Sequence, residues 1–276
     1  MKLTLASKTV EDRPILDVLD LAAALRLAGI EIYGVPRHLP PNVAPKLVHA
    51  VAEKARQLGL AITILDTYLG QFSQNGDAHA AEQLRLFERY LDMAEVLDCQ
   101  WIRLWPGEPL DPSEARDDHF LRAAHYLAVA CDRAAARRLG VVLECHPGIN
   151  ATAESMLRLV HLVGRANVRV TFDPCNQLSS HDPEYGAAGF RRLLPHLIDV
   201  HVKNGDPRYP GEDFHDRLLD EGVIDWVEIF RAVRQSKYDG WIAVEGHKRP
   251  TPEMDSFAIA RHETAQVRKA WTLAAV

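Results

Sequence analysis

At 276 residues, 47% hydrophobic and 25% charged, the chain has the length and composition of one large α/β domain, which excludes a disordered segment, a collagen-like repeat and a small disulfide scaffold. Thirty-two basic residues stand against thirty-eight acidic ones, and the net charge of −6 disfavours a general nucleic-acid binder, which carries a basic footprint.

The chain alternates short apolar runs with longer amphipathic segments. Leu3 to Ala6 reads as a first strand, and Ile15, Val18, Leu19, Ala22 and Leu25 recur at helical spacing up to Gly29. A strand is expected over Ile30 to Val35, a helix over Val43 to Leu58 and a strand over Ala61 to Leu65. Leu84, Phe87, Leu91, Ala94 and Leu97 mark a long helix before a strand over Trp101 to Trp105. Phe120 to Leu139 reads as a helix stopped by Gly140, and Val141 to Glu144 as a strand. The helix face Met156, Leu159, Val160 and Val163 precedes a strand over Val168 to Asp173. Phe190 to Leu197 is a short helix and Ile198 to Val202 a strand. A helix with Trp226, Ile229, Phe230 and Val233 on one face, capped by Asp225, leads to a strand over Trp241 to Glu245 and a last helix from about Met254.

Strands alternating with helices imply βαβ units and a parallel sheet, and eight such pairs predict a single (β/α)8 TIM barrel over residues 1–276. A doubly wound sheet would often carry a GxGxxG or Walker loop, and neither is present. Cys99, Cys131, Cys145 and Cys175 show no CxxC spacing and read as reduced thiols. The opening MKLTLASKTVEDRP has no long apolar run, and no stretch approaches the about 18 apolar residues of a membrane helix. A soluble cytoplasmic enzyme is expected.

A barrel sets its active site at the C-terminal ends of its strands. The strand-like segments VVLE, VTFD, IDVH and IAVE end at Glu144, Asp173, His201 and Glu245. A charge closing a buried strand costs several kcal/mol unless it is paired or bound to a metal. Three carboxylates and one imidazole suit one divalent ion, with Mn²⁺ or Mg²⁺ favoured and Co²⁺ or Zn²⁺ also compatible.

The motifs VVLECHPG, VTFDPCN, DVHVKN, DFHDRLLDEGVIDW and YDGWIAVEGH give the chain a pattern that resembles the xylose-isomerase-like barrel superfamily, which includes sugar epimerases, inosose dehydratases and the endonuclease IV branch. The resemblance implies metal ligands at Glu144, Asp173, His201 and Glu245, with Glu144 and Glu245 also moving protons. Such a layout serves isomerisation or epimerisation of a small sugar or polyhydroxy carbonyl compound through an enediolate. Dehydration of a keto-inositol is the alternative on the same template, and zinc-dependent phosphodiester cleavage a third. His146, Asn176, Arg208, Lys203, Glu31 and Trp105 are candidate substrate contacts, with Tyr68 a second aromatic wall beside Trp105. His38 and His247 read as loop residues, and Cys145 and Cys175 as bystanders. Asn176 departs from the epimerases, which usually carry a histidine there. Thr67-Tyr68 departs from the endonuclease branch, so a three-zinc site is incomplete. By analogy with the family, a homodimer or homotetramer is expected, with a small-molecule substrate and no nucleic acid or membrane partner.

Overall fold

The computed structural model describes residues 1–74, 76–107, 116–206 and 215–276. Its strands are β1 (Lys2–Ala6), β2 (Gly29–Tyr33), β3 (Ala61–Gly70), β4 (Trp101–Trp105), β5 (Gly140–Glu144), β6 (Val168–Phe172), β7 (Leu197–Val202), β8 (Asn204–Asp206), β9 (His215–Arg217) and β10 (Trp241–Val244). Its α-helices are α1 (Ile15–Ala24), α2 (Pro45–Leu58), α3 (Asp77–Leu97), α4 (Arg116–Ala136), α5 (Ala153–Val163), α6 (Pro174–Ser179), α7 (Ala187–Leu193), α8 (Trp226–Gln235) and α9 (Ser256–Leu273). The barrel closes in the order β1-β10-β7-β6-β5-β4-β3-β2, every neighbour parallel, and β8 and β9 form a separate antiparallel ribbon. This is the (β/α)8 barrel expected from the alternation. No helix among the described residues is long and apolar enough to cross a membrane.

Side chains alternate along each strand. Ile30 and Ile32, Val141 and Leu143, Val170 and Phe172, and Val200 and Val202 belong to one core with the surrounding helices. The intervening residues, including Glu31, Glu144, Thr171 and His201, face the barrel axis. Barrel interiors are usually filled by branched apolar side chains. Here the upper interior is filled by charge.

Several boundaries differ from the sequence reading, each for a local reason. Glycine does not end the first and fourth helices. Arg26 and Arg138 take the left-handed turn instead, at φ 54° and 61°. Gly140 is freed to open β5, where a Cβ would sit 2.2 Å from the Trp101 ring and 2.9 Å from the Asn167 carbonyl. β3 runs on past Leu65 to Gly70, which pairs with Trp105 after a register irregularity. The β8–β9 ribbon carries no strong apolar pattern and was not anticipated. Asp225 does cap α8, accepting from the Glu228 N–H at 3.0 Å.

One buried acid ties the segment after the ribbon to the last helix. Glu263 of α9 accepts the Leu219 N–H at 3.1 Å, and its Cγ would lie 3.0 Å from a Cβ at Gly246, just past β10. Burial raises its carboxyl from 4.5 to about 7. A folded-state value above the unfolded one means a stabilising contribution complete below about pH 4.5 and lost as pH rises through about 7. Glu263→Gln keeps the acceptor and removes the titration. It should remove this slope and make the protein more stable than wild type above pH 7, by on the order of 2–3 kcal/mol in urea unfolding. Parallel stability–pH curves for the two proteins would contradict this.

Candidate metal and acid–base site

Four strand ends bring Glu144, Asp173, His201 and Glu245 together, all buried, with one ligand-type atom from each lying within 4.8 Å of the others. His201 Nδ1 lies 3.0 Å from Glu144 Oε1, 3.1 Å from Glu245 Oε2 and 3.6 Å from Asp173 Oδ2. Asp173 divides its labour. Oδ1 caps the short helix α6 by accepting the Asn176 N–H at 2.9 Å, while Oδ2 turns into the cluster. The capping role and the site role therefore belong to one carboxylate. The donor set and its burial fit a divalent ion, because unlike a fixed side-chain cation an ion can be shared among three carboxylates and an imidazole.

Two permanent cations already border the cluster. Lys203 Nζ stands 2.7 Å from Asp173 Oδ2 and 2.8 Å from Glu245 Oε2. Arg103 donates through Nη1 to Glu144 Oε2, and its Nε lies 3.4 Å from Asp66 Oδ1. Its guanidinium is held over the rings of Tyr33, Tyr68 and Trp105, at 4.8, 5.5 and 5.6 Å from their centroids. Burial alone would raise the Glu144 carboxyl, but Arg103 and His201 outweigh it and hold it below its ordinary range. Burial likewise opposes ionisation of Glu245, and His201 and Lys203 overcome it. Both glutamates are thus set as carboxylates. Tyr33 donates its hydroxyl to Glu245 Oε1.

Tyr33 is braced from behind. Its backbone N–H donates to Ser7 Oγ at 2.9 Å, Ser7 Oγ lies 3.0 Å from His38 Nδ1, and His38 Nε2 lies 3.2 Å from the Arg13 carbonyl. Burial lowers His38 to about 4, so near neutral pH it is an uncharged strut away from the metal cluster.

Beneath the cluster lies a second acid layer. Glu31, Asp66 and Asp199 are buried, and Glu31 Oε2 and Asp199 Oδ2 approach His201 Nε2 at 3.1 and 3.4 Å. Burial, reinforced by neighbouring carboxylates, pushes Asp66 and Asp199 well above the usual carboxylate range.

The expected substrate contacts fall in three places. Trp105 and His146 stack at 4.3 Å and Tyr68 meets Trp105 at 5.3 Å, which makes an aromatic rim. Asn176 donates to Glu144 Oε1 at 3.1 Å, and Lys203 lies within the cluster. Glu31 sits on the far side of His201 from the other candidates. Arg208 lies outside the described residues. His247 Nε2 comes to 3.4 Å from Glu245 Oε1, closer to the cluster than a loop residue needs to be. All four cysteines are unpaired and buried, and burial pushes the Cys145 and Cys175 thiols up. Sequence reasoning gave Tyr33, Arg103, Asp66 and Asp199 no role. Their signal was a polar residue at alternate positions of an apolar strand, as in Asp199-Val200-His201-Val202-Lys203.

A family model described as a xylose isomerase-like TIM barrel matches residues 19–270. The chain belongs to this family. An inosose dehydratase from Lacticaseibacillus casei is 29% identical over 156 residues, 51% of this chain and 51% of that protein. The chain's match thus spans about half the length of that curated relative. Among solved structures, the IolI protein with a bound zinc atom is 16% identical, with a TM-score of 0.85 over 99% of this chain and 98% of that one. An L-ribulose 3-epimerase is 18% identical, with a TM-score of 0.81 over 99% and 95%. At these identities the structural likeness establishes the fold. The chain thus resembles proteins described as a dehydratase and as an epimerase.

Arg103 is a buried cation shared by two buried acids. Arg103→Leu should cost roughly 3–5 kcal/mol, because it takes the guanidinium from the buried Glu144 carboxylate and leaves Asp66 without its donor. Urea unfolding measures it, and a loss under about 1 kcal/mol would show that the pair does not support the barrel.

Proposed function

We propose that this xylose isomerase-like barrel is a divalent-metal-dependent isomerase or epimerase of a small sugar or related polyhydroxy carbonyl compound. The convergence of Glu144, Asp173, His201 and Glu245 at one barrel mouth carries this reading. These four residues would hold the ion, Mn²⁺ or Mg²⁺ by their hardness, with Co²⁺ and Zn²⁺ accommodated by the imidazole. Bound there, a divalent ion polarises a carbonyl and disperses the charge that develops when a neighbouring C–H loses its proton.

The protein's own groups divide the remaining work. Glu144, kept ionised by Arg103 and His201, would take the proton. Asn176 fixes Glu144 Oε1 by donating to it. Glu245 comes from a strand separated from β5 by β6 and β7, so it addresses the substrate from another wall and returns a proton there. Tyr33 and Lys203, both bonded to Glu245, hold its orientation. The Tyr68–Trp105–His146 rim offers flat faces for the C–H surface of a polyol.

Dehydration of a keto-inositol or similar polyol ketone is the second reading. The relative matched over half its length is an inosose dehydratase, and Asn176 cannot shuttle a proton as a histidine would. The same abstraction then expels a hydroxyl group. For the phosphodiesterase alternative there is less support. Among the described residues, both carboxylate–histidine groupings are built on His201, and the net charge is −6. Four unpaired buried thiols are consistent with work in a reducing cytoplasm.

Purified protein should carry about one divalent ion per chain, lost to a chelator together with turnover and restored on re-addition. Failure to bind any divalent ion would overturn the proposal. The loaded enzyme should then be given ketoses and keto-inositols in deuterated water. Deuterium beside the carbonyl of a rearranged sugar supports the first reading, and loss of water from the keto-inositol supports the second. Glu144→Gln and Glu245→Gln should each lower turnover by about 10²–10⁴-fold with the fold retained. Wild-type rates in either variant would remove that glutamate from the mechanism.

A further inference from the structure

His201 is wholly buried between two acid sets that use different ring nitrogens. Nδ1 faces the mouth cluster of Glu144, Glu245 and Asp173. Nε2 faces down, 3.1 Å from Glu31 Oε2 and 3.4 Å from Asp199 Oδ2. β2 and β7 are not neighbours in the barrel, so Glu31 reaches across the interior to meet this nitrogen. Its other close side-chain partner is Asp199, itself a buried acid, and Glu31 Oε1 is buried without a hydrogen-bond partner. A buried carboxylate set between another acid and one imidazole is expensive. An apolar side chain would fill the same barrel layer at no such cost. Among the described residues, His201 is the one basic partner that a glutamate meets here and a leucine would not.

An imidazole nitrogen binds a metal ion through its in-plane lone pair, and the other nitrogen then carries a hydrogen that needs an acceptor. Among the described residues, only the downward nitrogen of His201 has acceptors outside the mouth cluster. We infer that Glu31 is a positioning residue for the metal site: it accepts the Nε2–H of His201, locks the ring and leaves Nδ1 as the atom offered to the ion. Asp199, two residues before His201 on the same inward face of β7, supplies a second and longer contact to the same nitrogen. This assignment rests on the metal reading proposed above. It moves Glu31 from the substrate contact expected from sequence to the support beneath a ligand.

The primary test uses wild-type protein loaded with Zn²⁺, which is diamagnetic. Long-range ¹H–¹⁵N correlation spectra of ¹⁵N-histidine-labelled protein should show His201 bound through Nδ1, with a slowly exchanging hydrogen on Nε2. Coordination through Nε2 would overturn the inference without any variant. Calorimetric titration with Zn²⁺ is the second test. Glu31→Leu should bind about 10–100-fold more weakly than wild type, and Glu31→Gln, which keeps an acceptor for the Nε2–H, should lose less than the Leu variant. Glu31→Leu should nonetheless resist urea at least as well as wild type without metal, an outcome that a merely structural glutamate would not give. Affinity within twofold of wild type in the folded Leu variant would remove the positioning role and leave the metal site standing. Failure of wild type to bind Zn²⁺ or any other divalent ion would remove the metal reading itself, and this inference with it.

Discussion

The structure depends on burying six carboxylates inside one barrel with two permanent cations among them. Glu31, Asp66, Glu144, Asp173, Asp199 and Glu245 are all at most 2% exposed, and Arg103 and Lys203 reach them from two walls. Such a concentration of negative charge would ordinarily repel itself apart. The protein answers in layers. The mouth acids are held ionised by Arg103, Lys203 and His201, while burial drives Asp66 and Asp199 below toward their neutral forms. The result is a mouth whose three carboxylates face Arg103, Lys203 and His201, above a floor that has shed part of its negative charge.

Much of the surrounding structure maintains this arrangement. Arg103 cannot swing away because three aromatic rings and the Thr67 carbonyl enclose it. Tyr33 cannot retreat from Glu245 because Ser7 and the neutral His38 hold its backbone. Asp173 is pinned by the helix that it caps. A site built on strand ends and fixed by such contacts places its groups more exactly than a loop would, as metal binding and proton transfer both require.

The sequence by itself determined the barrel and the identity of the four mouth residues. Eight repeats of strand and helix leave few alternatives, and a charge ending an apolar strand is visible in VVLE, VTFD, IDVH and IAVE without coordinates. It also pointed to the Asp225 cap, because capping is a local interaction. What the tertiary structure alone decided was which polar residues meet. Arg103 and Glu144, Tyr33 and Glu245, and Glu31 and His201 are separated by 41, 212 and 170 positions, and their contacts arise only when the sheet closes. Closure also brought Glu31 against the Nε2 side of His201. Alternation along a strand tells which side chains point inward, but the depth of each in the barrel depends on the stagger between strands, which no single strand encodes.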